Sequence, residues 1–296
     1  MNDYIVRGMT MDGFVKVVAI RSTGLVAEAA RIHNTTANAT AAFGRCLTAA
    51  SMMGNMQKVE NGSMTMQVRG GGPIGGITCV SDSVGNVRGY VLEPHVPLIE
   101  KYPGKLDVGA TVGTDGAMTI IRDLQMKEPY VGSIQLVTGE IGDDVTAYFA
   151  QSEQTATACA LGVLVDRDQS VLTSCGYLIQ LLPGATEDII TMVEGGIYAA
   201  GPVTELLKED SDPESLLRRV MSDFELEILE KSDIEYKCYC SRERMEKALI
   251  SLGPEELEAM IAEQGDVTLS CQFCDNDQLF TKEQLTEMLA NMKKKA

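Results

Sequence analysis

Four of the eight cysteines stand in two tight pairs, Cys238-Tyr239-Cys240 and Cys271-Gln272-Phe273-Cys274, with 30 residues between them. Two thiolates one or two residues apart in a turn can face a single ion. Two such turns supply the four corners of a tetrahedron about 2.3 Å from a metal such as zinc. The two histidines, His33 and His95, lie far upstream, so a site built locally from the pairs is all thiolate. A tetrathiolate leaves no open position for water or substrate, which argues against hydrolytic metal chemistry. Spacing leaves two readings open. In the first, zinc is an inert staple for a C-terminal stretch of about sixty residues, too short to be comfortable with its own core. In the second, the thiols are a redox centre. A Cys-x-Cys pair closes into a tight ring that should be strained, and strained disulfides tend to be labile or regulatory. Lys237, Arg242 and Arg244 flank the first pair and would favour thiolates, although the same charges also suit a solvated helix.

The other cysteines, Cys46, Cys79, Cys159 and Cys175, each sit alone among apolar or small residues and are expected to be small buried hydrophobes. His33 and His95 have no serine or cysteine partner recognisable in the sequence, so structural roles are expected for both. The chain is expected not to be an enzyme.

The elements that must position the paired cysteines follow from periodicity. Up to about Pro183 the chain reads as short strands broken by glycine: Phe14–Ile20, Thr65–Val68, Val87–Val91, Met118–Ile121, Ile134–Val137 and the apolar run Ala158–Val165. His33–Gln57, dense in Ala, Thr and Met, predicts a buried helix whose Met52, Met53 and Met56 fill core, and Asp143–Gln154 predicts a shorter one. The expected fold class is α+β, with a mainly antiparallel β-sheet core domain and packed helices over 1–183. A helical connector is expected over 184–235, and a small zinc-binding domain over 236–296. Glu205–Glu235 carries eleven acidic and four basic residues in 31, with Leu216, Leu217, Val220, Met221 and Phe224 at helical spacing. This connector has little core of its own and must lean on a neighbour. In the last segment, Ser241 can cap a helix over Arg242–Ile250, Gly253 ends it and Pro254 opens another. Val267 and Leu269 mark a strand into Cys271. Thr281 and Gln284 have capping-box spacing for a final helix, with Lys293 to Lys295 at its negative end.

Composition narrows the functional classes. With 25 Lys plus Arg against 42 Asp plus Glu in 296 residues, the net charge is −17, which argues against broad contact with nucleic acid or anionic lipid. The absence of Trp and 5% aromatic content leave little for a base-stacking platform. The first residues show no basic-then-apolar leader and no apolar run approaches bilayer length, so a cytoplasmic protein is expected. Gly70, Gly72 and Gly75 satisfy G-x-G-x-x-G, with Glu93 beyond, but Pro73 interrupts the motif and a strand follows it. A hairpin with a Gly-rich turn is expected there instead of a dinucleotide loop.

Cys238-Tyr239-Cys240-Ser241-Arg242-Glu243-Arg244, Ala248–Gly253 and Cys271-Gln272-Phe273-Cys274 closely resemble the C-terminal signature of the heat-shock protein 33 family of redox-regulated holdase chaperones. The resemblance extends upstream through Arg69–Ile74, Gly85–Val91, Gln151–Gln154 and Gln180–Ala185. One departure is Leu279, which stands before Phe280 where an aromatic residue is expected. The resemblance implies an ATP-independent chaperone that is inactive while reduced and holds one zinc per chain through Cys238, Cys240, Cys271 and Cys274. It implies that oxidation joins Cys238 to Cys240 and Cys271 to Cys274, releases zinc and unfolds the C-terminal unit with the connector. The implied partners are unfolding client proteins and, in the active form, a second copy of the chain. The competing class is a zinc-stapled binding protein with an inert site, and nucleic-acid binding through the zinc module is disfavoured by charge.

The cysteine pattern predicts one zinc per reduced chain. Metal analysis should find stoichiometric zinc in the parent and in Cys159→Ser, and essentially none in Cys271→Ser; full zinc in the latter would overturn the ligand assignment.

Overall fold

The computed structural model describes residues 2–57 and 59–295. The chain divides into two compact units, Met1–Lys237 and Cys238–Ala296. The first unit begins with β1 (Tyr4–Thr10), β2 (Val15–Arg21), α1 (Thr23–His33) and α2 (Ala37–Asn55). It continues through β3 (Ser63–Arg69), β4 (Ile77–Asp82), β5 (Val87–Val91), β6 (Glu100–Tyr102), β7 (Lys105–Leu106) and α3 (Val108–Val112). Next come β8 (Ala117–Asp123), β9 (Tyr130–Gln135), α4 (Gly142–Ser152), β10 (Thr157–Val165) and β11 (Val171–Leu181). It closes with α5 (Glu187–Ala200), α6 (Val203–Glu209), α7 (Pro213–Val220) and β12 (Leu226–Asp233). The second unit holds α8 (Arg242–Ser251), α9 (Pro254–Glu263), β13 (Val267–Ser270), β14 (Asp277–Phe280) and α10 (Lys282–Lys295). Among the described residues, no helix is long and apolar enough to cross a membrane.

The fold is α+β with antiparallel sheets. One five-stranded sheet has the order β5-β4-β3-β8-β9, the other β10-β11-β2-β1-β12. Helix α2 is buried along almost its whole length between them, with Met52 and Met53 in the core as expected. Gly70, Gly72 and Gly75 fall in the loop between β3 and its antiparallel partner β4, so no helix follows the glycines and a phosphate cradle is not built.

The second sheet is unusual in being covered on both faces. An antiparallel sheet commonly buries one face and alternates polar with apolar residues. In β2, by contrast, Val17, Val18, Ala19 and Ile20 are all fully buried. Val18 and Ile20 join the core formed with α1 and α2. Val17 and Ala19 join Val6, Cys175, Tyr177 and Ile179 in a second cluster on the opposite face. That face is covered by Val193 of α5, Val203 and Leu206 of α6, and Leu216, Leu217 and Val220 of α7. Each apolar side chain so buried contributes about 1.5–3 kcal/mol.

The connector expected to be helical from Glu205 to Glu235 is helical only in its first half. Leu226–Asp233 forms β12, antiparallel to β1, with Tyr4 opposite Asp233 and Thr10 opposite Leu226. The edge of β1 supplies a ladder of hydrogen-bond partners for Leu226–Asp233, and this tertiary pairing overrides local propensity. Close approach is written into two glycines: a Cβ on Gly8 would sit 2.7 Å from the Glu227 carbonyl oxygen, and one on Gly196 would sit 2.3 Å from that of Val220. A second correction concerns His33–Gln57, which is not one helix. His33 ends α1, and Asn34 takes the left-handed conformation at φ 48° before Thr36 restarts the chain as the N-cap of α2. Asparagine tolerates that conformation better than most residues. The strand expected at Ile134–Val137 lies earlier, at Tyr130–Gln135, because β8 sets its register.

Leu217 is fully buried where α7 meets the sheet. Leu217→Ala should cost about 2–5 kcal/mol of local stability. Hydrogen exchange should show this as faster exchange in α5, α6 and α7 than in β3 and β4; uniform acceleration across both regions would show that the cover does not open by itself.

Candidate metal centre

Two local structures bring the paired cysteines to one point within the second unit. The first pair runs directly into α8, whose N-cap Ser241 accepts a hydrogen bond from the Arg244 backbone N–H at 3.2 Å. Arg244 Nη1 reaches back to donate to the Tyr239 carbonyl at 2.7 Å and so fixes the residue between the two cysteines. The second pair lies in the loop joining β13 to β14. There the Cys271 N–H donates to the Asn276 carbonyl at 3.1 Å. The Cys274 and Asp275 N–H groups donate to the Cys271 carbonyl at 3.2 and 2.8 Å. Asp275 completes the turn in the left-handed region at φ 52°.

The four Sγ atoms lie within 4.8 Å of one another. Two of the separations run between the turns, Cys238 to Cys271 at 3.7 Å and Cys240 to Cys274 at 3.4 Å. A tetrahedron with metal–sulfur bonds of about 2.3 Å has edges of about 3.8 Å. A disulfide brings sulfurs to about 2.05 Å, so these are four free thiols at metal-site spacing. Their protons are tied together. Burial pushes Cys238 up; the Cys240 N–H and the Cys274 thiol pull against it. Burial opposes ionisation of Cys240, but the hydrogen bonds from Cys274, Cys238 and Cys271 hold it below the ordinary thiol range. Burial, with its role as donor to Cys240, pushes Cys274 well above that range. Cys240 therefore ionises more readily than Cys238 and Cys274, and four like charges this close would need a cation between them. The residues fit a soft divalent metal ion.

The supporting core is small. Met245, Leu249, Leu257, Val267, Phe280 and Leu285 form it, with Cys240 and Cys271 partly buried against it. The caps expected from sequence are present: the Gln284 Oε1 accepts from the Thr281 N–H at 3.1 Å, and the Thr281 Oγ1 accepts from the Gln284 N–H at 3.4 Å. Arg242 does not serve the sulfurs. Its guanidinium lies 4.4 Å from the Phe280 ring and donates to the Leu279 carbonyl at 3.0 Å and Gln284 Oε1 at 2.8 Å. Leu279 is 53% exposed, so an aromatic residue is not needed there to fill the core. Lys237 pairs with Glu235 at 3.0 Å.

The remaining candidates stay apart from the centre. Cys46, Cys79 and Cys175 are buried and Cys159 half-buried in the first unit. Burial raises all four thiols, that of Cys159 to about 12, which keeps them protonated and inert. His33 stacks edge-on against Phe43, and Asn34 lies 3.3 Å from His95. One residue that the sequence reading overlooked is Tyr236. Its hydroxyl donates to the Gly89 carbonyl at 2.8 Å, accepts from the Gly89 N–H at 3.3 Å and lies 3.2 Å from His33 Nε2. With the Lys237 N–H donating to the Val87 carbonyl, it fastens the end of the first unit to the edge of β5. An aromatic residue two positions before Cys238 was the available signal.

Comparison with known proteins agrees along the chain. The family model described as Hsp33 protein matches residues 3–281. The 33 kDa chaperonin of Bacillus cereus (strain B4264) is 42% identical over 292 residues, covering 99% of this chain and 100% of the relative. That of Alkaliphilus oremlandii (strain OhILAs) is 43% identical over 288 residues, covering 97% and 96%. The crystal structure of the 33 kDa chaperonin (heat shock protein 33 homolog) from Thermotoga maritima superposes with a TM-score of 0.90 at 33% identity, covering 99% of this chain and 100% of that one.

Removing the Arg242 guanidinium should loosen the small unit by about 1–2 kcal/mol. In Arg242→Ala a chelator should strip metal roughly tenfold faster than in the parent; an unchanged rate would show that the β14 contacts do not stabilise the centre.

Proposed function

The chain belongs to the Hsp33 family, and on that premise we propose that it is an ATP-independent holdase chaperone that captures unfolding proteins under oxidative stress. It is inactive while Cys238, Cys240, Cys271 and Cys274 hold one zinc ion, and active after those thiols are oxidised. The observation that carries this reading is the convergence of four free, partly buried thiols within 4.8 Å in a unit with so small a core. No catalytic residue is assigned. The expected setting is the cytoplasm, and the expected active form is a homodimer.

Bound zinc supplies folding free energy, on the order of 10 kcal/mol for a structural site at neutral pH. The cysteines perform the switching chemistry. A thiolate attacks peroxide oxygen, becomes a sulfenic acid and leaves hydroxide; the second thiol of the pair then displaces water to close the disulfide. The hydroxide takes up a proton from solvent, so each disulfide consumes one peroxide and yields two waters, and the two bonds transfer four electrons in all. Since all four sulfurs are mutually close, proximity does not choose the pairing. Family membership supports Cys238 with Cys240 and Cys271 with Cys274. Either pairing removes every metal donor at once.

On this reading the chain works as a core over 1–183, a redox-sensitive connector over 184–235 and a switch over 236–296. The connector's helices cover Val6, Val17, Ala19, Cys175, Tyr177 and Ile179, a continuous apolar face of the kind that binds unfolded chains. Tyr236 and Lys237 hold the end of that segment to β5, immediately before Cys238. Unfolding of the switch leaves that short tie as the end of the folded chain, and the connector's excess acidic charge already favours its release.

Peroxide with mild heating should turn the reduced protein from a poor into an effective suppressor of client aggregation, without ATP. Equal suppression by both forms would leave a constitutive binder with an inert tetrathiolate. Peptide mapping of the oxidised protein should recover the two within-pair disulfides, and cross-linked pairs such as Cys240 with Cys274 would contradict that assignment. Limited proteolysis should cut the oxidised chain between Glu205 and Cys240 much faster than the reduced one while residues before Pro183 stay protected.

A further inference from the structure

The two five-stranded sheets of the first unit have four outer strands, β5 and β9 in one and β10 and β12 in the other. An outer strand presents N–H and C=O groups that can pair with any extended chain, and folded proteins guard such edges with charge, proline, bulges or cover. Three of the four are guarded. Along β5, the Val87 N–H donates to the Glu235 carbonyl at 3.2 Å and its carbonyl accepts from the Lys237 N–H at 2.9 Å. β10 lies beside α4, whose Thr146 hydroxyl accepts from the Cys159 N–H at 3.1 Å, and its register shifts at Val165. β12 carries Glu227, Glu230, Lys231 and Asp233. By contrast β9, Tyr130-Val131-Gly132-Ser133-Ile134-Gln135, has no charge, no proline and no register shift.

The alternation of an antiparallel ladder fixes which groups of β9 face outward. The Leu136 N–H donates to the Gly116 carbonyl, so Ile134, Gly132 and Tyr130, at steps of two, direct their backbone groups to β8. Val131, Ser133 and Gln135 direct theirs away from it, and no backbone partner meets them among the described residues. All three are exposed, Val131 at 57%. Each brings one N–H and one C=O, and a second β9 has the same spacing. Placed antiparallel about a two-fold axis at Ser133, it sets Val131 against Gln135 of the second copy, Ser133 against Ser133 and Gln135 against Val131. Every outward group is then paired. Moving the register by two residues leaves one residue of each strand without a partner, so this arrangement is self-complementary in the way a two-fold contact requires. Gly132 falls opposite Ile134 of the second copy, where its missing side chain leaves room. Val137, 55% exposed, comes opposite Pro129. The chain's net charge of −17 opposes self-contact in general, but none of it lies on this strand.

We propose that the edge of β9 is an interface for a second copy of this chain, the two strands pairing antiparallel so that one sheet runs through both copies. The proposal rests on the homodimer reading for its occupant and assigns that dimer a contact. Because β9 belongs to the sheet that the connector does not cover, pairing does not require oxidation.

Sedimentation velocity of the reduced, zinc-loaded chain is the test. A contact of this size belongs to the weak, reversible class, so the series runs up to about 100 μM, where a dimer should form. Val131→Lys places a guarding charge at an exposed position, and Ser133→Pro removes one outward N–H from a strand that tolerates proline there; each should weaken the dimer about tenfold or more. In Ser133→Cys, a thiol cross-linker shorter than two strand spacings should join position 133 of two copies, whereas Thr119→Cys, one strand further in on each copy, should not be joined. The proposal is overturned by a reduced parent that stays monomeric, by a dimer unchanged in Val131→Lys, or by cross-linking of Thr119→Cys as strong as that of Ser133→Cys. A monomeric parent that binds carboxymethylated, unfolded lactalbumin and loses it in Val131→Lys assigns the edge to client strands and overturns the proposal equally. The oxidised parent, run alongside, tests the homodimer reading by itself. Ser133→Cys is a conservative change at an exposed position, so cross-linking decides the matter even if another variant fails to fold.

Discussion

A β-sheet that is apolar on both faces cannot stand in water with one face bare, and the arrangement of the first unit follows from that constraint. The β10-β11-β2-β1-β12 sheet buries Val18 and Ile20 against α1 and α2, and Val17, Ala19, Tyr177 and Ile179 against α5, α6 and α7. The first contact is made chiefly by α2, buried along almost its whole length inside the main core. The second is made by α5, α6 and α7, which bury only one side each and come from an acidic segment tied at its far end by β12 and by Tyr236. The two faces are thus covered by elements of very different intrinsic stability, and local opening is drawn from the weaker side.

The second unit has the complementary problem. Six buried side chains are too few to order nearly sixty residues, and the four thiols that complete the centre repel one another once ionised. A single cation held between the four sulfurs would remove both difficulties at once. Capping at Ser241 and Thr281, and the Arg242 guanidinium against Phe280, set the geometry but add only about a kilocalorie per mole each. The unit is therefore sensitive to the state of its sulfurs in a way that the first unit, whose cysteines are buried and protonated, is not.

The sequence by itself determined whatever depends on neighbours along the chain. Cys-x-Cys and Cys-x-x-Cys spacing, the Ser241 cap, the Gly253-Pro254 break and the Thr281–Gln284 box are local signals, and the second unit was legible from them. What only the tertiary structure decided was long-range pairing. Leu226–Asp233 became a strand because β1 had an open edge, Ile134 pairs where β8 puts it, and Asn34 breaks a stretch whose composition favours helix. The approach of Cys238 to Cys271 and of Cys240 to Cys274 joins residues far apart in the chain. Such contacts leave no periodic trace, because a residue's own sequence neighbours constrain its backbone but do not say which distant side chain will meet it.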